Sequence, residues 1–354
     1  MAEITDVSVE ELSLPLAEPF EFALGQIEEV DNVLVRVETA DGTIGYGEAS
    51  PFPTVTGETQ QTAMAIVDAA TPLIEREETA SYGPVIDDVR STFSGNVNAL
   101  FAIETAILDA YCRERDMPLS AVFGDVPSTV QTDITLGIVD PDVARQLTRT
   151  ARDHGYSELK IKTGGDVSKD VARVAAVSDE APDAGIAVDA NQGYSPKEAV
   201  RFMDALHDRG IDIDLLEQPV PADDYDGLKL VTDTVDVPVA ADESAFDPQD
   251  AMRIARKRAA DVINIKLGKA GLMGASDIIG IAQAADLDLM IGCMFESKLG
   301  IHTAAHVVAG TGAFGHVDLD GKDRAIEELE STGLGPDIDI DGPGHGVRPD
   351  DIRD

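Results

Sequence analysis

The segment Leu159-Lys160-Ile161-Lys162 ends 27 residues before Asp189, which closes a second short apolar segment, and this spacing recurs along the chain. Eight strand candidates lie between Thr132 and Leu319, and they end at Ile138, Lys162, Asp189, Glu217, Asp242, Lys266, Cys293 and Asp318. The intervals between these ends are 24, 27, 28, 25, 24, 27 and 25 residues, enough for one strand, one helix and two loops. The sequence therefore predicts an α/β fold with a (β/α) barrel of the TIM type, whose active site lies at the C-terminal ends of the strands.

The first 125 residues have a different pattern and are predicted to form an α+β capping domain. Their strand and helix patterns lie at Ile4–Leu14, Asn32–Thr39 and Thr43–Glu48, then near Glu58–Arg76, Val85–Arg90 and Ala99–Arg115. Residues 15–29 and 50–57 are rich in Pro, Gly and Thr, and we expect them to be loops that cover the barrel mouth. Residues 126–320 are assigned to the barrel. In residues 321–354, an Asp-Ile-Asp-Ile-Asp alternation predicts a short strand that returns to the first domain.

The charge of the chain excludes two classes of partner. A net charge of -40, from 67 acidic and 27 basic residues, repels nucleic acid and anionic membrane surfaces. The acidic residues are spread along the chain, as in proteins of an acidic proteome that works in concentrated salt. Neither a signal peptide nor a run of about 18 apolar residues is found, so we expect a cytoplasmic protein. Two cysteines, Cys112 and Cys293, are too few for a disulfide framework.

Acidic residues end three successive strand candidates: Asp189, Glu217 and Asp242. Neighbouring strands lie about 4.8 Å apart, so these side chains are expected to converge on one point. Three buried carboxylates repel one another unless a cation binds them, and an all-oxygen set suits Mg²⁺ better than zinc. We therefore predict one Mg²⁺ per subunit. Chance placement of acids in an acidic chain is the alternative, and the matching position on three strands argues against it.

Lysines end the second and the sixth strand candidates. The chain has only 10 lysines, and none precedes Lys160. Lys160 and Lys162 share one strand face, so both are expected to point into the barrel mouth, while Lys266 lies on the opposite side. Two amines as close as Lys160 and Lys162, near a dication, lower each other's pKa, which moves a lysine toward acting as a general base near neutral pH. Lys162 and Lys266 would then flank a substrate held on the metal from opposite faces. For any one lysine alone, the alternative is a solvated residue at the barrel rim.

Metal and lysines together suit removal of a proton from the carbon beside a carboxylate. The resulting enediolate carries two negative charges and needs a cation to stabilise it. Bases on opposite faces of the substrate can remove the proton on one side and return it on the other. The expected outcome is inversion at carbon, which is racemisation or epimerisation.

Five motifs together resemble the muconate lactonising enzyme subgroup of the enolase superfamily over essentially the whole chain: Leu159-Lys160-Ile161-Lys162, Asp189-Ala190-Asn191-Gln192, Glu217-Gln218-Pro219, Asp242-Glu243-Ser244 and Asn264-Ile265-Lys266. Within the subgroup, Asp318-Leu319-Asp320 resembles the Asp-x-Asp motif with which dipeptide epimerases hold the substrate's α-ammonium group. The resemblance implies an L,L-dipeptide substrate that is inverted at the α-carbon of its C-terminal residue.

The resemblance also implies substrate contacts at Thr135, Lys160, Cys293 and Phe295, and supporting roles behind the metal ligands for Asn191 and Glu243. In Ala-Glu epimerases an arginine in the first loop pairs with the substrate glutamate. The matching position here is Gly25, which follows Phe20 to Leu24. Ala-Glu specificity is therefore not expected, and Glu28, Glu29 and Phe295 leave an apolar and a cationic second side chain equally open.

Two other functions are compatible with parts of this pattern. A lyase or cycloisomerase, such as o-succinylbenzoate synthase or muconate cycloisomerase, would use the same metal and lysines. Asp318 and Asp320 argue against it, because an acidic pair repels a substrate that has carboxylates and no ammonium group. A non-catalytic barrel would have no need of all three acids and all three lysines. Oligomeric state stays open, with a homo-oligomer possible.

Overall fold

The computed structural model describes residues 2–22, 25–124, 129–321, 326 and 329–353. Its first part is a three-stranded antiparallel sheet, β1 (Ile4–Phe22), β2 (Gly25–Thr39) and β3 (Ile44–Ala49), in the order β1-β2-β3. Three helices follow: α1 (Gln60–Ile74), α2 (Tyr82–Thr92) and α3 (Val97–Arg113). Short 3₁₀ turns lie at Thr79–Ser81 and Leu119–Val122. Helix α3 packs across the sheet, and its contact with β3 is close because Gly45 and Gly47 have no side chains.

Strands and helices alternate through the second part of the chain. In order they are β4 (Thr129–Gln131), β5 (Ile134–Leu136), α4 (Pro141–Asp153), β6 (Glu158–Lys162), α5 (Val167–Glu180), β7 (Gly185–Asp189), α6 (Pro196–His207), β8 (Leu215–Glu217), α7 (Tyr225–Thr232), β9 (Val239–Ala241), α8 (Pro248–Lys257), β10 (Val262–Lys266), α9 (Leu267–Ala270), α10 (Leu272–Ala284), β11 (Asp288–Gly292), α11 (Lys298–Thr311), β12 (His316–Val317), α12 (Leu329–Thr332), β13 (Asp337–Asp339) and α13 (Asp350–Arg353). Strands β5 to β12 form one parallel sheet in chain order, as the repeat predicts.

The two edges of this sheet meet. The backbone N–H of Asp133, beside β5, donates a hydrogen bond to the carbonyl oxygen of Val317 in β12 at 3.0 Å. The Thr132 hydroxyl accepts from the backbone N–H of Leu319 at 2.7 Å. These contacts join the first strand to the last, so the eight strands curl into the predicted TIM-type barrel.

An apolar layer fills the barrel beneath the strand ends. Leu215, Ala240, Val262 and Met290 are buried inside the barrel, with Ala187 packed against them. Since alternate residues of a strand share a face, Ala187, Leu215 and Ala240 lie one layer below Asp189, Glu217 and Asp242. This layer closes the barrel below the acidic strand ends and leaves polar chemistry to the mouth.

Helices α4, α6 and α8 all begin with proline at the first helical position, because proline needs no N–H partner there. The side chains of Asp166 and Asp247 accept backbone N–H groups at the starts of α5 and α8. A large apolar core between sheet and helices, with Phe101, Tyr156 and Phe202 fully buried, holds the helices against the barrel.

The expectation of a loop at residues 15–29 is wrong. β1 and β2 continue through residues 15–22 and 25–29 and pair with each other, with Pro15 opposite Glu29 and Phe22 opposite Gly25. Residues 23 and 24 lie outside the described part of the chain. The ladder changes register between Pro15 and Phe20. Proline and glycine suggested a loop, yet the register shift lies next to Pro15 and Gly25 pairs regularly with Phe22. The prediction for residues 50–57 is confirmed, since they contain no helix or strand.

The C-terminal segment contains the expected short strand, but its predicted partner is wrong. β13 pairs antiparallel with β4, which lies beside the barrel, and not with the first domain. The chain reaches the first domain only beyond this strand, where the N–H of His345 donates to the carboxylate of Asp109 in α3. The N–H of Leu119 donates to the carbonyl of Gly344. Alternating Asp and Ile indicate a strand but do not determine which edge it joins.

The domain boundaries after residues 125 and 320 stay predictions, and residues 125–128 lie outside the described part of the chain. Among the described residues, no helix combines the length and apolar character needed to cross a membrane.

Candidate active site

Three carboxylates meet at the C-terminal ends of neighbouring strands. Asp189 ends β7 and Glu217 ends β8 in direct register, and Asp242 follows β9. All three side chains are buried, and one oxygen of each lies within 4.8 Å of the other two. The predicted convergence of the three acids is confirmed.

The donor set fits a hard divalent cation. Three buried carboxylates provide oxygen ligands only, and a point between them faces the barrel mouth, where substrate and water can complete the coordination. Burial of three neighbouring carboxylates is unfavourable without a cation. Burial and, to a smaller extent, the neighbouring Asp189 carboxylate raise the pKa of Glu217 to about 8.

Lysines lie on both flanks of this carboxylate cluster. Lys162, at the end of β6, places Nζ 2.6 Å from an oxygen of Asp189. Lys266, at the end of β10, places Nζ 2.9 Å from an oxygen of Asp242. Strands β6 and β10 enclose the three ligand-bearing strands, so the two amines approach the cluster from opposite sides. The predicted positions of the two lysines are therefore confirmed, and their catalytic roles stay predictions.

Lys160 lies deeper than Lys162 and is fully buried. Its Nζ is 3.2 Å from Asp189, 2.8 Å from Glu217 and 2.6 Å from Asp318. This ammonium group connects the carboxylate cluster to the acidic residues after the eighth strand. Its position beneath the centre of the mouth is compatible with the predicted substrate contact.

The predicted lowering of the lysine pKa values depends on a bound dication and stays a prediction, while the protein's own carboxylates act in the opposite direction. Burial lowers the pKa of Lys266, but Asp242, Glu217 and Glu243 together outweigh burial, so the pKa is raised. The pKa of Lys160 is likewise raised well above its ordinary value, by Asp318, Glu217 and Asp189 against the effect of burial. Repulsion between amines is smaller here than attraction to the carboxylates that face them.

Hydrogen bonds hold Asp189 and Glu217 from behind. The backbone N–H of Asn191 donates to Asp189 at 2.9 Å, and the Asn191 amide donates to Glu243 at 3.2 Å. Burial raises the pKa of Glu243 to about 7. The Asn264 amide donates to Glu217 at 2.8 Å. Both residues predicted to support the metal ligands, Asn191 and Glu243, lie directly behind them.

A fourth lysine belongs to the site, and sequence reasoning missed it. Lys269 is buried in the short helix α9, with Nζ 2.6 Å from the Asp242 carboxylate and 3.3 Å from the carbonyl of Asn264. Burial lowers its pKa. Lys269 follows Lys266 by three residues, in the short helix that begins directly after β10.

The acidic pair after the eighth strand reaches the same mouth. Asp318 pairs with Lys160, and Asp320 accepts a hydrogen bond from the backbone N–H of Thr135 at 2.8 Å. Burial and the Asp318 charge raise the pKa of Asp320 to about 6. A third buried acid, Asp133, lies near them and was not predicted. Burial, then the charges of Asp318 and Asp320, raise its pKa well above the ordinary value.

Cys293 and Phe295 follow β11, and Cys293 lies beside this pair. The Cys293 thiol is 3.9 Å from an oxygen of Asp320. The Phe295 ring packs on the ring of Phe52, from the segment 50–57, with centroids 5.5 Å apart. The structure therefore brings a residue of the first domain to the predicted substrate residues of the barrel.

A buried carboxylate fixes this segment to the first domain. Glu48 of β3 accepts hydrogen bonds from the hydroxyl of Ser297 at 2.6 Å, the N–H of Gly300 at 3.0 Å and the amide of Asn32 at 2.7 Å. The Asn32 amide also donates to the carbonyl of Phe295 at 2.9 Å. Glu48 thus caps the start of α11 from another domain, which no local sequence pattern indicates.

These features define the class of enzyme: a β/α barrel with an acidic, oxygen-only metal site at its mouth and lysines on both flanks of that site. Residues 4–124 match the mandelate racemase/muconate lactonizing enzyme N-terminal domain. Residues 142–353 match the enolase C-terminal domain-like family. The chain therefore belongs to the mandelate racemase and muconate lactonizing enzyme family of the enolase superfamily, as its motifs indicated.

Curated relatives narrow the comparison to one group of this family. The chain is 40% identical to the aromatic dipeptide epimerase of Herpetosiphon aurantiacus, over 90% of this chain and 89% of that protein. It is 35% identical to the L-Ala-D/L-Glu epimerase of Bacillus subtilis, over 98% and 96%. Among solved structures, it resembles a dipeptide epimerase from Enterococcus faecalis complexed with Mg and L-Leu-L-Tyr, with a TM-score of 0.90, 35% identity and coverage of 97% and 99%.

Proposed function

We propose that the protein is a Mg²⁺-dependent dipeptide epimerase, an isomerase that inverts the C-terminal residue's α-carbon in an L,L-dipeptide by 1,1-proton transfer. One observation carries the proposal: Lys162 and Lys266 lie on opposite flanks of a buried cluster of three carboxylates. The similarity to curated dipeptide epimerases over nearly the whole chain supports it.

Asp189, Glu217 and Asp242 would hold the Mg²⁺. The bound ion supplies positive charge that stabilises the enediolate form of the substrate and opposes the hold of the carboxylates on the flanking amines. Asn191 and Asn264 hold Asp189 and Glu217 by hydrogen bonds, and Lys266 and Lys269 hold Asp242. Glu243 accepts a hydrogen bond from the Asn191 amide. This support fixes the site before substrate arrives.

Lys162 and Lys266 perform the proton transfer. One amine, in its neutral form, removes the α-proton from its side of the substrate. The ammonium group of the other lysine then delivers a proton to the opposite face, and the configuration at the α-carbon is inverted. Each lysine therefore serves one of the two epimers.

The acidic residues after the eighth strand suit the other end of a dipeptide. Among the described residues, Asp133, Asp318 and Asp320 lie together with one facing cation, Lys160, so an α-ammonium group would be attracted. The same charges would repel the substrates of a lyase or cycloisomerase that carry carboxylates and no ammonium group. Lys160 is left to contact the anionic part of the substrate, and Thr135 lines the wall beside Asp320.

The aromatic contact between Phe52 and Phe295 favours an apolar side chain over a cationic one. Two rings next to Cys293 offer an apolar wall, and Gly25 offers no positive charge for a glutamate side chain. We therefore propose, more finely, that the substrate is a dipeptide with an apolar or aromatic residue. This small molecule is the protein's main partner. A cytoplasmic location completes the proposal, and the oligomeric state stays open.

Deuterium incorporation tests the function directly. A mixed library of L,L-dipeptides is incubated with the protein and Mg²⁺ in deuterated water, and products are read by mass spectrometry and chiral analysis. We expect one deuterium at the C-terminal residue's α-carbon, with Leu-Tyr ahead of Ala-Glu and Leu-Lys. Library members without exchange serve as internal controls. No exchange with any dipeptide would overturn the proposal.

Two controls, the Lys162→Ala variant and an EDTA-treated sample, distinguish epimerisation by this protein from epimerisation by a contaminating enzyme. Both should lack epimerisation of every dipeptide that the wild type inverts. An equal activity in Lys162→Ala would assign the reaction to another protein in the sample.

A further inference from the structure

An arginine outside the mouth holds the backbone of Lys162. Arg173, in α5, is 5% exposed. Its Nη1 donates to the carbonyl oxygen of Lys162 at 3.1 Å, and its Nε donates to the carbonyl oxygen of Val139 at 2.7 Å. One rigid guanidinium group therefore joins Lys162, the last residue of the second barrel strand, to the loop after the first strand.

The guanidinium is itself held by a buried acid. Asp170 accepts from Arg173 Nη1 at 2.7 Å through one oxygen. Its other oxygen accepts from the hydroxyl of Tyr194 at 2.7 Å and from the N–H of Gly165 at 3.0 Å. Tyr194 belongs to the loop after β7, which also carries Asp189. Arg173 is thus fixed from three sides, and its planar fork leaves the Lys162 peptide little freedom.

We propose that Arg173 is a positioning residue for Lys162, which orients this amine toward one face of the substrate through the Lys162 carbonyl. The inference rests on the proposed function and adds a residue to it. Lys266 lies four strands away and takes its position from β10 and α9. Loss of the guanidinium should therefore disturb one of the two proton transfers and leave the other.

Epimer-specific exchange measures this difference. Initial rates of α-proton exchange in deuterated water are measured separately for the L,L and L,D forms of one dipeptide. Lys162→Ala identifies the epimer that Lys162 serves. Arg173→Met should lower exchange of that same epimer by about 100-fold, since a misplacement of about 1 Å can cost that much, and change the other epimer by less than about threefold.

Three further variants keep the test interpretable. Arg173→Lys can reach only one of the two carbonyls and should restore part of the lost rate. Tyr194→Phe keeps Arg173 and removes one hydrogen bond to Asp170, so it should lower the same epimer's rate by a smaller factor. Arg149→Met, an exposed arginine on α4 paired with Glu180, is the matched control and should change neither rate. Mg²⁺ affinity, read by calorimetry, should stay at the wild-type value in all of them.

Equal losses for both epimers, or no loss for either, would overturn the inference. If Arg173→Met fails to fold, Arg173→Lys and Tyr194→Phe decide it by the same ratio of epimer rates. Failure of the proposed function has a different signature, because the wild-type protein itself would then exchange neither epimer.

Discussion

Replacing Lys269 with methionine removes the buried positive charge behind Asp242 and keeps nearly the same volume. In the wild type, Lys269 Nζ lies 2.6 Å from one Asp242 oxygen, and Lys266 Nζ lies 2.9 Å from the other. Lys269→Met therefore leaves the Asp242 carboxylate with one of its two cations. The Asp242 and Asn264 carbonyls also lose a donor.

The expected loss of stability lies between two known magnitudes. A hydrogen bond to a charged group is worth about 1.5 to 3 kcal/mol, and removing one partner of a buried ion pair costs about 3 to 5 kcal/mol. Because Lys266 remains, we expect a decrease of about 2 to 4 kcal/mol in the free energy of unfolding. Addition of Mg²⁺ should recover part of it, since the ion binds the folded state only.

Urea denaturation in EDTA and in Mg²⁺ provides the measurement. Lys257→Met is the matched control, because Lys257 also pairs with an aspartate but is 42% exposed. Such a surface pair contributes about 0 to 1 kcal/mol. Equal stability losses in Lys269→Met and Lys257→Met would refute the electrostatic role assigned to the buried lysine.

Three other predictions concern the substrate pocket, pH and salt. Asp320→Asn should raise the KM of free dipeptides at least about tenfold and leave N-acetylated dipeptides unaffected, a difference that steady-state kinetics would detect; an equal effect on both would exclude contact with the ammonium group. Burial raises the pKa of Glu104 to about 7 from 4.5, so this acid contributes stability that is complete below pH 4.5 and lost as pH rises through 7. Between pH 4.5 and 7 the free energy of unfolding of the wild type should therefore fall by on the order of 3 kcal/mol, and that of Glu104→Gln should not. Parallel profiles of unfolding free energy against pH for the two proteins would contradict this. Raising KCl from about 0.1 M to about 1 M should increase the Tm of the wild type, since screening weakens repulsion within a chain of net charge -40; an unchanged Tm would show that this repulsion is minor.

The barrel and its metal ligands follow from local patterns. Short runs such as Val262–Lys266 are buried on both faces, so they read as apolar and β-branched, and polar residues appear where a strand leaves the core. Parallel strands bring these ends to one face of the barrel. Periodic spacing was therefore enough to place Asp189, Glu217 and Asp242 together and to put Lys162 and Lys266 on either side.

Residues that act through tertiary contacts were not predictable in this way. Glu48, Lys269 and Arg173 reach the site from a capping strand, a helical turn and an outer helix, and no period in the sequence connects them to it. The pairing of β1 with β2 through residues 15–22 and 25–29 was also missed, because it crosses a register shift next to proline. Side-chain pKa values depend on distances between charges, so the raised pKa of Lys266 required the structure.

Epimer-resolved exchange with the two lysine variants is the most direct measurement of the central claim. Lys162→Ala and Lys266→Ala are each given the L,L and the L,D form of one substrate in deuterated water, with Mg²⁺ binding verified by calorimetry. If Lys162 and Lys266 lie on opposite faces of the substrate, each variant should lose exchange from one epimer and keep exchange from the other. The epimer that loses exchange should differ between the two variants. If both variants lose exchange from the same epimer, the two lysines do not serve opposite faces and the account is wrong.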